Sequence, residues 1–540
     1  MSLAFPALSE ALMRGPRSGV QCAVFLTLLG SYAFFWHSRD WNTTSRLILT
    51  YAMADRGTVC LDGLENQTGD IAQLGGHYYC DKLPGFSLVA TIPYLLARWT
   101  LGLPPHPLGQ DAMAYWPADY WVTLGTSGLF TALAAVLLLR LAHDLGCSER
   151  QGALVGLAYG LATPAYVYAT LAYGHQLTAF ALFGALYLLW KSDCAREAVW
   201  LGAAGLLAAA AAVIELQVAP VVVVLGFYLL VQCLSGRRKP EAIVYFALGA
   251  VVPTLFLLGY NLLAFGSPWD MGYFHHATAQ FARVHNRQNP LGLRMPDPAL
   301  IGPLLWGEHR GLLCYAPILW LSVPGWYVLA SRRQTGLCVV SLACTLAVFV
   351  VNLSYPEWTG GWSTGPRLLV PLLPFTMIPV AAVLARAGPW SRAAFRLAVF
   401  LASAGAILML LFQGVGARTP QDVPAPLRAI VWPLWTGSTT VPRWWTGERF
   451  TRTMMAVLAA DWVKNLPESR QWRQFLPLIL GQLAALFATA RMTRKKLPDS
   501  GPAASPSNLA IEEKQNRDRA DQDAEDPEAK SHRVGPNSGP

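Results

Sequence analysis

Apolar residues in this chain come in long unbroken runs, not in the alternation of a half-buried strand or the stripe of an amphipathic helix. Runs of membrane-spanning length lie at 20–36, 120–139, 152–172, 176–190, 199–216, 218–234, 242–265, 312–330, 337–353, 368–385, 397–414 and 474–490. A helix needs about 20 such residues to cross a bilayer core of about 30 Å. The pattern therefore predicts an all-α polytopic membrane protein with about twelve transmembrane helices. The first run follows Arg14 and Arg17 as in a signal peptide, but it is long and has no small-x-small cleavage site before Asp40, so it reads as a retained helix.

One further run, 86–103, is apolar but carries Pro93 and Arg98 and ends in Pro104-Pro105. If it crossed, every later loop would change sides. Lying along the membrane surface, it leaves Arg140/Arg150, Lys191/Arg196, Arg237/Arg238/Lys239, Arg332/Arg333, Arg386/Arg392/Arg396 and Arg491/Arg494/Lys495/Lys496 on one side with Arg14 and Arg17. The positive-inside rule makes that side cytoplasmic, with both termini there. The expected location is an integral, multi-pass plasma membrane protein, as in a bacterial inner membrane. Segments 37–119, 266–311, 354–367 and 415–473 then face outside.

This organisation divides the chain into a transmembrane catalytic region 1–414 containing the outer loop 37–119, a Trp-rich outer loop 415–473, a last helix with a basic stop 474–496, and a tail 497–540 too polar to bury a core. Composition agrees: 54% hydrophobic and 14% charged, with a net charge of +9 spread over short loops. That charge reports orientation and contact with anionic lipid, and no nucleic-acid motif accompanies it. No internal repeat is visible, which speaks against an inverted-repeat transporter plan. There is no Walker A sequence, nucleophile elbow, dinucleotide fingerprint or zinc-type Cys/His spacing, so the residues call for no cofactor and no metal site, although a divalent metal would be compatible with the chemistry. Cys60 and Cys80 share the first outer loop, where either a disulfide or two free thiols fits.

The unusual polar residues cluster outside. Gly76-His77-Tyr78-Tyr79-Cys80-Asp81-Lys82-Leu83-Pro84-Gly85 sets a Lys, an Asp and a Pro-Gly turn at a membrane boundary. Charge is costly there, and a Lys ammonium suits a phosphate-bearing lipid. His175 and Glu215 end apolar helices, where an ionisable group needs a partner. A lone His in such a place is commonly a structural hydrogen bonder. Arg367 stands at the outer mouth of a helix, either as a phosphate fork or as an interface anchor. Glu357 with Trp358 and Trp362 could hydrogen-bond and stack on a sugar. Trp432, Trp435, Trp444, Trp445, Trp462 and Trp472 read as interfacial enrichment.

Taken in order, Asn42-Thr43-Thr44-Ser45-Arg46, Asp55-Arg56-Gly57-Thr58, Thr68-Gly69-Asp70 and the Gly76–Gly85 segment resemble the first outer loop of GT-C glycosyltransferases, in the group that uses lipid-carrier donors and includes protein mannosyltransferases and the lipid A aminoarabinose transferase. Tyr173-Gly174-His175, Asn261 with Phe265-Gly266-Ser267-Pro268, Arg310-Gly311-Leu312-Leu313 and Gly361-Trp362-Ser363-Thr364-Gly365-Pro366-Arg367 add to the likeness. The resemblance implies transfer of a sugar from a polyprenyl-phosphate donor, at the outer face, to an unidentified acceptor, with membrane lipid as the other partner. It also implies an acidic base just after the first helix, where this chain instead has Asn42-Thr43. Asp70, Asp81 and Asp40 are the alternatives, and Asp70 is favoured because its Thr-Gly-Asp turn could carry a carboxylate over the headgroup. Substrate contacts are expected from Arg46, Tyr79, Lys82, His175, Glu215, Asn261, Arg310, Glu357, Trp362 and Arg367, with Lys82, Arg46, Arg310 and Arg367 as the cations for the leaving phosphate. A lipid or solute transporter is the rival class; nearly uncharged helix centres disfavour it. An envelope-glycan ligase or polymerase would need the same groups.

Overall fold

The computed structural model describes residues 18–108, 115–192, 196–332, 334–386, 391–437, 453–454 and 468–493. The predicted tail, Cys194 and the tryptophans Trp444, Trp445 and Trp462 lie outside them. The longer helices are α1 (Ser18–Ala33), α2 (Trp41–Arg56), α3 (Gly85–Leu101), α4 (Trp116–Asp144), α5 (Glu149–Leu161), α6 (His175–Lys191), α7 (Glu197–Ile214), α8 (Leu216–Leu234), α9 (Glu241–Phe265), α10 (Thr335–Leu353), α11 (Arg367–Leu384), α12 (Ser391–Gly414) and α13 (Arg470–Met492). Among the described residues the structure is all-α apart from one hairpin, and eight of the helices, α4 and α7–α13, are long and apolar enough to cross a membrane.

Every predicted apolar run is helical, but two are broken. The run at 152–172 ends as α5 at Leu161 and resumes as a short turn of helix at Ala165–Tyr168, because Thr163-Pro164 interrupts the ladder: Pro has no N–H to donate. The run at 312–330 is split at Pro317 into Leu312–Tyr315, Pro317–Leu321 and Ser322–Ser331. Where helices run unbroken, small residues set the spacing. A methyl placed on Gly205 of α7 would lie 1.8 Å from the Phe246 carbonyl oxygen of α9, and one on Gly249 would lie 1.8 Å from that of Gly202. Such close backbone approach is how helices pack where lipid and side chain are equally apolar.

The segment 37–119 is not the open loop the apolar runs imply. It contains α2, α3 and a hairpin. α2 begins with a reciprocal cap in which the Asp40 carboxylate accepts the Thr43 N–H (2.7 Å) and Thr43 Oγ1 accepts the Asp40 N–H (2.8 Å). It ends at Gly57 in the left-handed region (φ 60°), and Thr43 through Ala52 are all buried. The strands β1 (Ile71–Leu74) and β2 (His77–Cys80) pair antiparallel with Ile71 opposite Cys80 and Leu74 opposite His77. Gly75 and Gly76, at φ 62° and 85°, make the two-residue turn that matches strand twist. The Thr-Gly-Asp turn thus leads directly into a strand, with Asp70 immediately before β1. The register also decides the thiols. Cys60 bridges to Tyr79, so Cys80 projects from the opposite face toward α2, 3.1 Å from Ser45 Oγ, and both cysteines are free.

α3 packs Phe86, Ala90, Tyr94 and Ala97 inward and leaves Leu88, Ile92, Leu95, Leu96 and Trp99 exposed. A helix apolar on both faces can meet protein on one and lipid on the other, and the expectation that 86–103 does not cross, with 37–119 outside throughout, is tested by side-specific labelling. Labelling of Gly109→Cys, in a background without other reactive cysteines, is expected with an impermeant maleimide applied from outside. Reaction only from the cytoplasmic side would reverse the parity of every later loop.

Candidate functional site

A cavity of about 660 Å³ opens where the N-terminus of α2, the hairpin ends, the start of α6, the α7–α8 turn, segment 273–293 and the loop from α10 to α11 converge. Its walls carry Arg39, Asp40, Arg46, Asp70, Lys82, His175, Glu215, Glu357, Trp362 and Arg367.

The hairpin assembles the central charge group. Because Ile71 pairs with Cys80, the residues flanking the two strands are neighbours, and Lys82 Nζ donates to Asp81 Oδ2 (2.7 Å) and pairs with Asp70 Oδ2 (3.0 Å). Asp81 is fully buried; its other oxygen accepts from Ser45 Oγ (3.0 Å), and it does not line the cavity. That commitment removes it as a base. Burial lowers the affinity of Lys82 for its proton, but Asp70 and Asp81 more than reverse this, holding its pKa above the ordinary lysine value. For Asp70, burial raises the pKa, Lys82 pulls it down, and nearby Asp81 and Asp40 raise it again; the net is a carboxyl above its usual range.

Asp40 has the opposite fate. Burial alone would raise it, but the Arg418 guanidinium (2.8 Å), the Tyr173 hydroxyl, which donates to Oδ2, and the Thr43 N–H hold it at about 2. It is an anchor for Arg418 and a poor proton acceptor. Arg418 comes from the loop after α12, where Ser363 and Thr419 exchange backbone hydrogen bonds (3.0 and 3.3 Å) and bring Gln421 to the cavity wall.

His175 Nδ1 lies 2.8 Å from Glu215 Oε2, and Arg46 Nη2 lies 3.5 Å from Glu215 Oε1. Arg46 also donates from Nε to Asn42 Oδ1 (3.2 Å). Arg367 packs its guanidinium over the Tyr173 ring (5.0 Å) and reaches the Tyr173 hydroxyl at 3.4 Å. Three buried nitrogens among these groups have no partner: Arg46 Nη1, Arg367 Nε and His175 Nε2.

Three expected site residues are placed elsewhere. Arg310 is completely buried and spends its guanidinium on the Thr359, His309 and Gly361 carbonyls (2.9, 3.1 and 3.0 Å), so it shapes the α10–α11 loop and does not reach the cavity. Tyr79 packs on Phe265 (ring centroids 5.4 Å). Asn261 donates to the Pro268 carbonyl (3.1 Å) and holds the turn after α9. Neither lines the cavity. The sequence reading missed Arg39, clamped by Asp119 through Nε (2.7 Å) and Nη2 (2.8 Å), and the wall formed by Tyr273, His276, Phe281, His285 and Tyr355. Density of His and aromatic residues in 273–285 was the available signal. Among the described residues, ligand atoms of Cys60, Asp62 and His77 gather within 4.8 Å at the hairpin, apart from the cavity, with His77 Nδ1 on Asp62 Oδ2 (2.6 Å).

No family model matches this sequence, and no curated protein matches it. Several solved structures are similar to it at low identity. One is ArnT from Cupriavidus metallidurans bound to undecaprenyl phosphate, at 17% identity over 88% of this chain and 76% of that chain, with a TM-score of 0.47. Another is the archaeal oligosaccharyltransferase AglB from Archaeoglobus fulgidus in complex with an inhibitory peptide and a dolichol-phosphate, at 11% identity over 81% of this chain and 61% of that chain, with a TM-score of 0.47.

Proposed function

We propose that this chain is a GT-C type membrane glycosyltransferase that moves a sugar from a polyprenyl-phosphate donor to an acceptor hydroxyl at the extracytoplasmic face. The observation that carries the reading is the pair of buried guanidinium donors, Arg46 Nη1 and Arg367 Nε, left without partners in the wall of a cavity that also holds a carboxylate of raised pKa. A buried donor without an acceptor costs about 1–3 kcal/mol, and a phosphate supplies the acceptors. Lys82 adds an ammonium with three N–H groups, of which Asp70 and Asp81 engage two.

In this reading the acceptor oxygen attacks the anomeric carbon and the bond from that carbon to the phosphate oxygen breaks. The electron pair leaves with the phosphate, stabilised by Arg46, Arg367 and Lys82. The hydroxyl proton passes to Asp70, whose raised pKa suits a proton acceptor better than Asp40 does. Glu215 and His175 hold Arg46 in place.

Mass spectrometry of lipid extracts tests the assignment: one polyprenyl-phosphate sugar is expected to accumulate in cells lacking the protein and to be depleted in cells overproducing it with acceptor present. An unchanged lipid-linked sugar pool in both would overturn it. For the phosphate contact, Arg367→Ala removes a charge-assisted bond, so donor affinity is expected to fall about 10- to 150-fold, read as Kd for the lipid phosphate in detergent.

A further inference from the structure

Resting on that reading, we propose that the lobe of the cavity between Tyr273, His276, Phe281 and Lys82 is the sugar subsite, and that it selects an uncharged sugar through a hydroxyl bound by His276. The imidazole of His276 is 2% exposed and lines the cavity, and both of its ring nitrogens lack a hydrogen-bond partner. Its neighbour His285 makes the contrast. There Nε2 lies 2.9 Å from the Tyr355 hydroxyl and Nδ1 lies 3.4 Å from the Pro290 carbonyl, so that ring is committed to the wall. The carboxylate nearest His276 is Asp81, 3.5 Å from Nδ1, and its oxygens already serve Ser45 and Lys82.

A buried polar ring with nothing to bond is costly in the empty protein and specific in the filled one. Burial first, then the Lys82 and His285 charges, lower the His276 pKa to about 3, so the ring is neutral throughout the physiological range. A neutral imidazole presents one donor and one acceptor. The two nitrogens point away from each other, so no single group reaches both; a phosphate, all acceptors at its oxygens, can serve only the N–H, whereas a sugar hydroxyl can serve whichever nitrogen faces the lobe, as donor or as acceptor. Burial penalises a charged substituent of either sign, and Lys82, Asp70 and Asp81 already pair with one another, so neither the ammonium of an amino sugar nor the carboxylate of a uronate finds an uncommitted counter-ion. Around the ring, Tyr273 (centroids 6.0 Å) and Phe281 (5.8 Å) supply the apolar surface on which the C–H face of a sugar packs. One face of Phe281 already meets the Lys82 ammonium at 5.8 Å, which leaves the sugar close to the phosphate clamp.

The test is equilibrium binding to the full-length protein in detergent, which needs no acceptor. The probes are bare undecaprenyl phosphate and undecaprenyl phosphates bearing a neutral hexose or pentose, an amino sugar, or a uronate. A neutral-sugar donor is expected to bind about 10- to 100-fold tighter than bare lipid phosphate, with no such gain for the charged sugars. His276→Ala is expected to erase that gain while the affinity for bare lipid phosphate holds, and His276→Gln, which keeps a donor and an acceptor, to restore part of it. A gain confined to the amino sugar or the uronate, or a neutral-sugar gain that survives His276→Ala, would overturn the subsite while leaving the phosphate reading intact. Failure to bind even bare lipid phosphate would overturn the transferase reading, and the subsite with it. Should His276→Ala unfold, His276→Gln and the sugar panel on the unaltered protein decide the matter.

Discussion

Asp70→Asn is expected to lower turnover by about 10²–10⁴-fold while donor binding stays close to normal. The substitution keeps the shape of the side chain and leaves Lys82 its bond to Asp81, but an amide cannot take the proton of the acceptor hydroxyl. The sign of the pH dependence follows from the raised Asp70 pKa. The ionised carboxylate is the active form, so kcat/KM falls as pH falls through that pKa, and the acid limb lies above the range of an ordinary carboxyl group. A pH–rate profile checks this, and the limb should vanish in the asparagine variant. Wild-type turnover by Asp70→Asn would remove Asp70 from the chemistry. Asp40, held at about 2 by Arg418, Tyr173 and Thr43, would then have to act from an ion pair.

Lys82→Ala is expected to damage both folding and chemistry. It leaves Asp70 and Asp81, with side chains 8% and 0% exposed, without their shared cation. Removing one partner of a buried ion pair costs about 3–5 kcal/mol, which should appear as a large drop in Tm in detergent. Since Lys82 lowers the Asp70 pKa, its loss moves the acid limb of any remaining activity to still higher pH. The double variant Lys82→Ala/Asp81→Asn takes away one of the two orphaned charges and should recover much of the stability but not the rate, because the leaving phosphate still lacks one cation. A Lys82→Ala protein of unchanged Tm and unshifted limb would show that the trio is not coupled.

The paired fate of the carboxylates explains how far the site could be read from the chain. The Asp81-Lys82 segment was legible as chemistry because charge beside long apolar runs is conspicuous. The choice between Asp40 and Asp70 was not, because it depends on Arg418, which lies 378 positions from Asp40 and reaches it only in the folded protein. Arg310 read as a phosphate ligand for the converse reason: an arginine at a membrane boundary looks the same in sequence whether its guanidinium faces a ligand or three backbone carbonyls.

Long apolar runs determined the helical class by themselves, since their length and composition alone satisfy the bilayer. α2 was invisible to that signal because its Asn, Thr, Ser and Arg residues keep its mean hydropathy low, and its burial is against protein. The hairpin had a local mark in Gly75-Gly76, a pair of glycines between two four-residue strands. Its consequence is tertiary: pairing Ile71 with Cys80 turns a separation of 12 residues into the 3.0 Å ion pair of Asp70 and Lys82. Only packing could leave Arg46, Arg367 and His276 buried with open hydrogen-bonding positions, because whether a polar atom is satisfied depends on neighbours that local sequence does not specify.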